Sequence, residues 1–184
     1  AHQMGLQVWG VLDNFNYANE NGISISTLNM LSSTTARQNL VKNVTDTAVG
    51  LGLDGINVDF EQLSSDCGPH YVEFLRELSI ECRNKGLVLS IDNYVPFNFN
   101  DYYRLDIQGE VADYVIIMGY DEHYAGSAEA GSVASIGYVQ QGIENTVSAV
   151  PQEKVINAVP FYTRLWKWGE SLTSEALSMS AAAN

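Results

Sequence analysis

The chain has 184 residues, 46% of them hydrophobic, and a formal net charge of −13. This length suits one domain with a single core and is short for two. The acidic balance disfavours nucleic acid and anionic membrane surfaces as partners, because phosphates are bound by Lys and Arg, and no apolar run approaches the ~20 residues of a membrane span.

Strand and helix patterns alternate along the chain. Strands are predicted at 7–12, 53–61, 87–95, 112–120 and 154–162. Helices are predicted at 34–50, 69–85, 101–105 (a short helix or turn), 136–149 and 174–183. Strands that alternate with helices in this way form βα units around a parallel sheet, so the fold class is α/β.

The second predicted strand has two faces of opposite polarity, because side chains alternate along a strand. The apolar face holds Ile56, Val58 and Phe60. The polar face holds Asn57, Asp59 and Glu61. A strand flanked by helices is buried on both faces, and a buried amide with two carboxylates is costly unless partners or a wet cleft compensate. The strand therefore indicates a functional site; an edge strand with a solvated face is the alternative.

Residues 54–61 resemble the signature D-G-x-D-x-D-x-E of the family 18 glycoside hydrolases, the chitinase-like group, with Asn57 in place of the middle aspartate. Residues 118–121 (Met-Gly-Tyr-Asp) and 159–164 (Val-Pro-Phe-Tyr-Thr-Arg) match the family's M-x-Y-D and P-F-Y-x-R strands, in order. Within the family, the sequence is most similar to the spore-cortex and peptidoglycan-associated branch, the YaaH/YdhD/SleL-like proteins. The likeness runs from about residue 4 to residue 168.

The resemblance implies a (β/α)₈ TIM barrel, of which this chain covers about strands 3 to 7. Residues 1–184 are then a single family 18 catalytic domain, truncated at both ends. A complete five-stranded open sheet is the alternative. A partial barrel leaves strand edges unpaired, so self-association is expected.

The resemblance also implies a glycosidase that cleaves β-1,4 bonds of N-acetylglucosamine-containing glycans, in peptidoglycan or spore cortex first and chitin oligomers second. Cleavage is expected to retain the anomeric configuration and to be assisted by the substrate's acetamido group, an exception among glycosidases. Glu61 is the expected general acid and base, Asp59 orients the acetamido group, and Tyr120 hydrogen-bonds its carbonyl oxygen. A non-catalytic carbohydrate-binding protein on the same scaffold is the alternative function.

Further substrate-binding residues are expected at the carboxyl ends of the strands, where parallel α/β barrels place their active sites. The candidates are Asn14, Asn57, Asn93, Tyr94, Asp121, Tyr162, Arg164 and Trp166. Repulsion between Asp59 and Glu61 should keep one of them protonated to higher pH. An amide at Asn57 that donates to Asp59 would favour its ionised form, so Asp59 is expected to ionise at lower pH than in relatives with an aspartate there. Asp54 has the opposite strand parity and is expected to be structural.

No cofactor or metal is expected, because the three histidines lack the spacing of a metal site. Cys67 and Cys82 are too few for a disulfide framework, and a single bridge between them is left open. An extracellular, cell-envelope or spore location is implied by the resemblance alone.

Overall fold

The computed structural model describes residues 1–15 and 26–183. Five strands form one parallel sheet in the order β1-β2-β3-β4-β5. Their bounds are Trp9–Asp13 for β1, Gly55–Asp59 for β2, Val88–Tyr94 for β3, Tyr114–Met118 for β4 and Val155–Ala158 for β5. Spatial order follows chain order, as in the wall of a (β/α)₈ barrel.

Helices connect consecutive strands of the sheet, except for the last of them, which follows the final strand. They are α1 (Thr27–Ser32), α2 (Thr34–Gly50), α3 (Gly68–Lys85), α4 (Leu105–Val111), α5 (Ile136–Val147) and α6 (Met179–Ala182). Short 3₁₀ turns lie at His2–Met4, Ser65–Cys67, Asn98–Tyr103 and Gln152–Lys154. The sequence predicted the bounds of α2 and those of α3 to within one residue, whereas α1 was not predicted.

Local capping groups explain where the longer helices begin and end. The Ser33 side chain accepts from the Ala36 amide at the start of α2, and Ser135 accepts from the Tyr138 amide at the start of α5. Helix α3 ends at Gly86, whose φ of 68° is left-handed and is easiest for glycine. These signals are short-range, so they could be read directly from the sequence.

The core lies between α3 and the apolar face of β2. Val58 is 0% exposed, and Ile56 and Phe60 are each 2% exposed. Phe74 of α3 stacks on Phe60 with ring centroids 5.4 Å apart, and Tyr71 contacts both rings. The face of β2 that bears the polar signature residues is therefore fixed by the packing of its other face.

Asp54 anchors the start of β2. Its Oδ2 accepts from the Val8 amide at 2.7 Å and lies 2.7 Å from His2 Nε2. The Val8 hydrogen bond, followed by that of His2, holds the pKa of the Asp54 carboxyl below its ordinary value. This geometry fits the structural role expected for Asp54.

The last part of the chain differs from the sequence-based prediction. Instead of one strand over 154–162 and a helix over 174–183, strand β5 ends at Ala158 and an antiparallel hairpin follows. Its strands are β6 (Tyr162–Trp168) and β7 (Leu172–Ser178). Pro160 interrupts the run because it has no N–H for a sheet ladder. Residues 172–178 pair with residues 162–168 across the hairpin, and this pairing overrides the helical periodicity of 174–178.

Cys67 and Cys82 are both buried and unpaired. They lie near opposite ends of α3, and at 1.5 Å per residue this separates them by about 20 Å, too far for a disulfide.

Strands β1 and β5 each have one neighbour within residues 1–15 and 26–183. Self-association through these edges stays a prediction. Over the same described ranges, no helix combines the length and apolar character needed to cross a membrane.

Candidate active site

Alternate residues of β2 and β3 bring polar side chains to one face of the sheet. Asn57 contacts Ser90 and Asp92 of the neighbouring strand, and the charge of Asp92 also acts on Asp59. The face continues beyond the strands into Glu61, Tyr94 and Tyr120. These groups lie at the carboxyl ends of parallel strands, where this architecture places its chemistry.

Glu61 is held by both its main chain and its side chain. Asn14 Nδ2 donates to the Glu61 carbonyl oxygen at 2.9 Å, and Asn14 Oδ1 accepts from the Glu61 amide at 2.8 Å. The Tyr94 hydroxyl donates to Glu61 Oε2 at 2.7 Å. Gln62 follows with a left-handed φ of 53°, a conformation costly for non-glycine residues. The chain therefore turns sharply just after the carboxylate, whose position is fixed.

The Asp59 carboxyl is partly buried among other acidic groups. Its Oδ1 is buried and makes no hydrogen bond. Burial, and then the charges of Asp92, Glu61 and Asp13, raise the pKa of Asp59 to about 6. The group is therefore poised to change charge close to neutral pH.

Asn57 does not make the hydrogen bond that the sequence suggested. Its Nδ2 donates to Asp92 Oδ1 at 2.9 Å and to Ser90 Oγ at 3.0 Å, both on β3, instead of to Asp59. The prediction of a lowered Asp59 pKa assumed a hydrogen bond from Asn57 to Asp59 on the same strand. This assumption was wrong, because Asn57 donates to the neighbouring strand instead. Burial raises the pKa of Asp92 as well, although the Asn57 hydrogen bond opposes this shift.

Tyr120 closes the site from the β4 side. Burial raises the pKa of its hydroxyl, and the nearby charges of Asp92, Asp59 and Glu61 add to the shift. Its ring meets that of Tyr162 edge-on, with centroids 6.4 Å apart. The Tyr162 hydroxyl donates to Asp121 Oδ1 at 2.5 Å. Asp121 has a left-handed φ of 56°, so a strained turn follows Tyr120 as one follows Glu61.

Arg164, which was predicted to end the fifth strand, lies on β6 of the hairpin instead, and Trp166 lies on the same strand. Arg164 Nη1 donates to Ser174 Oγ at 2.9 Å, across the hairpin. Trp166 Nε1 donates to the Gly131 carbonyl oxygen at 2.9 Å. In this arrangement Trp166 ties the hairpin to the loop that follows β4, and Arg164 braces the hairpin itself.

Asn93 is the predicted site residue that points away from the site. It exchanges hydrogen bonds with Gln108 of α4, with Asn93 Nδ2 to Gln108 Oε1 at 2.7 Å and Gln108 Nε2 to Asn93 Oδ1 at 2.9 Å. Both side chains are buried, at 3% and 0% exposure. Asn93 therefore belongs to the helix-facing side of β3, and its selection as a substrate contact was wrong.

The sequence reasoning also missed Ser90 and Asp92. The signal was present, because Ser90, Asp92 and Tyr94 alternate along β3 as Asn57, Asp59 and Glu61 do along β2. Proximity to the strand end favoured Asn93, whereas strand parity points to Asp92.

We expect Asp59→Asn to stabilise the fold at neutral pH. Because the folded-state pKa of Asp59, about 6, lies above its ordinary value of 3.8, the stability this group contributes is complete below the ordinary pKa and is lost as pH rises through the folded pKa. The neutral variant should gain about 1 kcal/mol above pH 7, allowing for partial solvent screening, and much less below pH 4.

Urea unfolding at the two pH values measures this difference. Glu170→Gln, at an exposed position, is the matched control for a change of one charge. An Asp59→Asn variant that is no more stable than the wild type at neutral pH would contradict the burial of this charge.

Comparison with known proteins agrees with the fold. Residues 24–182 match the sequence profile of Glycosyl hydrolases family 18. YdhD of Bacillus subtilis (strain 168), named as a sporulation-specific glycosylase, is 38% identical over 144 residues, which are 74% of this chain and 33% of YdhD. The cortical fragment-lytic enzyme of Bacillus anthracis is 27% identical over 148 residues, 75% of this chain and 33% of that protein.

The crystal structure of Bacillus subtilis YdhD superimposes with a TM-score of 0.88 and 31% identity, covering 99% of this chain and 62% of that one. The chain thus spans about a third of these two curated relatives. The superposition confirms that the parallel sheet and its helices are part of a (β/α)₈ barrel. The chain belongs to glycosyl hydrolase family 18.

Proposed function

We propose that the protein is a glycosidase that hydrolyses β-1,4 bonds of N-acetylglucosamine-containing glycans, with retention of configuration and with Glu61 as general acid and base. The observation that carries the proposal is the buried, unpartnered Asp59 Oδ1, on the same face as the Glu61 carboxyl and the Tyr120 hydroxyl. A buried polar atom without a partner is unfavourable by about 1–3 kcal/mol. The N–H of a substrate acetamido group would satisfy it.

In the first step, the acetamido carbonyl oxygen attacks the anomeric carbon and the bond to the leaving sugar breaks. Glu61 gives its proton to the leaving oxygen. The resulting ring carries positive charge, which an ionised Asp59 stabilises at short range because the site has a low dielectric. Tyr120 donates to the acetamido carbonyl oxygen and aligns it for attack.

In the second step, Glu61 takes a proton from water as the water attacks the anomeric carbon, and the acetamido group is released. Two inversions at one carbon give net retention. The fixed position of Glu61 between Asn14 and Tyr94 supports this dual role, because one carboxyl group has to reach both the leaving oxygen and the incoming water.

Peptidoglycan or spore-cortex fragments are the first choice of substrate and chitin oligomers the second. The names of the similar YdhD and cortical fragment-lytic proteins support a glycan of the cell wall, and with it an envelope, spore or extracellular site of action. Asp121, Tyr162, Arg164 and Trp166 are proposed to line or brace the sugar subsites, through the hydrogen bonds already described.

Chromogenic N-acetylglucosamine oligomers test the reaction. We expect turnover, with the β-anomer of the product formed first in proton NMR spectra. Matched oligomers whose reacting sugar lacks the acetyl group should not be cleaved, because they carry no internal nucleophile. Cleavage of both series at equal rates would contradict substrate assistance. Binding of the oligomers without turnover would favour the carbohydrate-binding alternative.

A further inference from the structure

The turn that carries Glu61 lies beyond the end of the sheet ladder. The pairing of β2 with β3 ends at Val58 and Ile91, before the main-chain groups of residues 60–63. A buried main-chain N–H or carbonyl group without a partner is unfavourable, so these groups need other partners. Tyrosine hydroxyls from β3 and from the 3₁₀ turn Asn98–Tyr103 supply them.

Tyr103 joins the two ends of this turn. Its hydroxyl donates to the Phe60 carbonyl oxygen at 3.1 Å and accepts from the Leu63 amide at 3.3 Å. A single oxygen atom therefore closes the turn over residues 60–63. The Tyr102 hydroxyl adds a hydrogen bond to the Leu63 carbonyl oxygen at 2.8 Å.

Between those two ends lie Glu61 and Gln62. Gln62 has the left-handed φ of 53° noted above, which is unfavourable for a residue with a side chain, so the turn depends on the contacts that hold it. The Tyr94 hydroxyl accepts from the Gln62 amide at 3.3 Å while it donates to Glu61 Oε2. A movement of the Gln62 amide would therefore disturb the hydroxyl that orients the Glu61 carboxylate.

Tyr103 is itself held in place. It is 5% exposed, and its ring meets that of Tyr94 edge-on with centroids 6.2 Å apart. Its carbonyl oxygen accepts from Gln108 Nε2 at 2.8 Å, and Gln108 is in turn paired with Asn93. Burial raises the pKa of the Tyr103 hydroxyl, so the group stays protonated and able to donate at neutral pH.

We propose that Tyr103 is a positioning residue for the reaction, and that it acts on Glu61 through the main chain of residues 60–63. This inference rests on the proposed function. By keeping the turn in its left-handed form, the Tyr103 hydroxyl keeps the Glu61 carboxyl group beside Tyr94 and within reach of the leaving oxygen. A Tyr103 with a structural role alone would affect the folded fraction of the protein and not the turnover of its folded molecules.

Tyr103→Phe keeps the ring and removes the hydroxyl. We expect kcat per folded molecule to fall by about tenfold or more and KM to change by less than about twofold, because Glu61 takes part in bond making more than in substrate binding. Urea unfolding gives the folded fraction of each variant, so that a loss of stability is not counted as a loss of turnover.

Tyr71→Phe is the matched control. Tyr71 is 0% exposed, and its ring meets that of Tyr103 edge-on with centroids 5.7 Å apart. Within residues 1–15 and 26–183, its hydroxyl has no hydrogen-bond partner. Removing this hydroxyl should leave kcat and KM unchanged. An equal fall of kcat in the two variants would overturn the role of the Tyr103 hydroxyl.

A second substitution tests the route through the turn. Glycine adopts a left-handed φ without strain, so Tyr103→Phe/Gln62→Gly should have a kcat at least about threefold above that of Tyr103→Phe alone. A double variant no more active than Tyr103→Phe would contradict the action of Tyr103 through the turn.

Carboxyl carbon NMR of the substrate-free protein supplies a readout that does not depend on turnover. The signal of the Glu61 side chain should shift in Tyr103→Phe, return toward its original position in the double variant, and stay in place in Tyr71→Phe. An unmoved Glu61 signal in Tyr103→Phe would overturn the inference. If the signal moves as expected but the wild-type protein cleaves no glycan, the proposed function is refuted while the positioning of Glu61 by Tyr103 stands.

Discussion

Replacement of Glu61 by glutamine should reduce the turnover of N-acetylglucosamine oligomers by about 10³-fold or more, because the amide cannot donate or accept the catalytic proton. The fold should be preserved. Asn14 binds the main chain of residue 61 and not its side chain, and a glutamine oxygen can still accept from the Tyr94 hydroxyl. The free energy of unfolding should therefore change by less than about 1 kcal/mol.

Val58→Ala is the matched control on the same strand. Val58 is 0% exposed on the opposite face, so this variant should lose about 1–3 kcal/mol of stability through lost packing. Its folded molecules should retain most of their turnover. Initial rates and urea unfolding of both variants measure this contrast, and equal rates in Glu61→Gln and the wild type would refute the catalytic assignment.

Phe74→Ala should cause the largest loss of stability, about 3–5 kcal/mol. Phe74 is 0% exposed, and its ring stacks nearly parallel to that of Phe60, with 4° between the planes. Removing it leaves a cavity between α3 and β2, in the part of the core that supports the signature strand. Urea unfolding followed by circular dichroism measures the effect.

Phe99→Ala supplies the comparison for an exposed ring. Phe99 is 77% exposed and stacks on Phe97 with centroids 5.7 Å apart, so its loss should change stability by less than about 1 kcal/mol. Similar losses for Phe74→Ala and Phe99→Ala would contradict the placement of the core between α3 and β2.

The parts of the fold that short-range chemistry determines could be predicted from the sequence. Helix α2 begins after the Ser33 cap, α3 ends at Gly86, and the alternation in β2 separates its two faces as expected. The hairpin of β6 and β7 could not be predicted in this way. Its strands are stabilised by each other, and Leu172–Ser178 considered alone has no strong preference for an extended conformation.

The same distinction applies to the site. Residues on the signature strand, such as Asp59 and Glu61, follow from its alternation. Contacts between strands could not be predicted in this way. Asp92 is the partner of Asn57 because of the register of β2 against β3, which the sequence of one strand does not specify. Asn93 was chosen wrongly because successive residues of β3 point to opposite faces of the sheet. Asn93 faces the helices, whereas its neighbour Asp92 faces the candidate site.

The Asn14 side chain acts as a substitute peptide group. It donates to and accepts from the main chain of Glu61, and so extends the β1–β2 ladder one rung past its last residue pair, Asp13 and Asp59. Aspartate at position 14 would place a carboxylate oxygen against the Glu61 carbonyl oxygen. Serine would be too short to reach both the carbonyl oxygen and the amide of Glu61. The position of Glu61 thus depends on a neutral side chain that binds only its main chain.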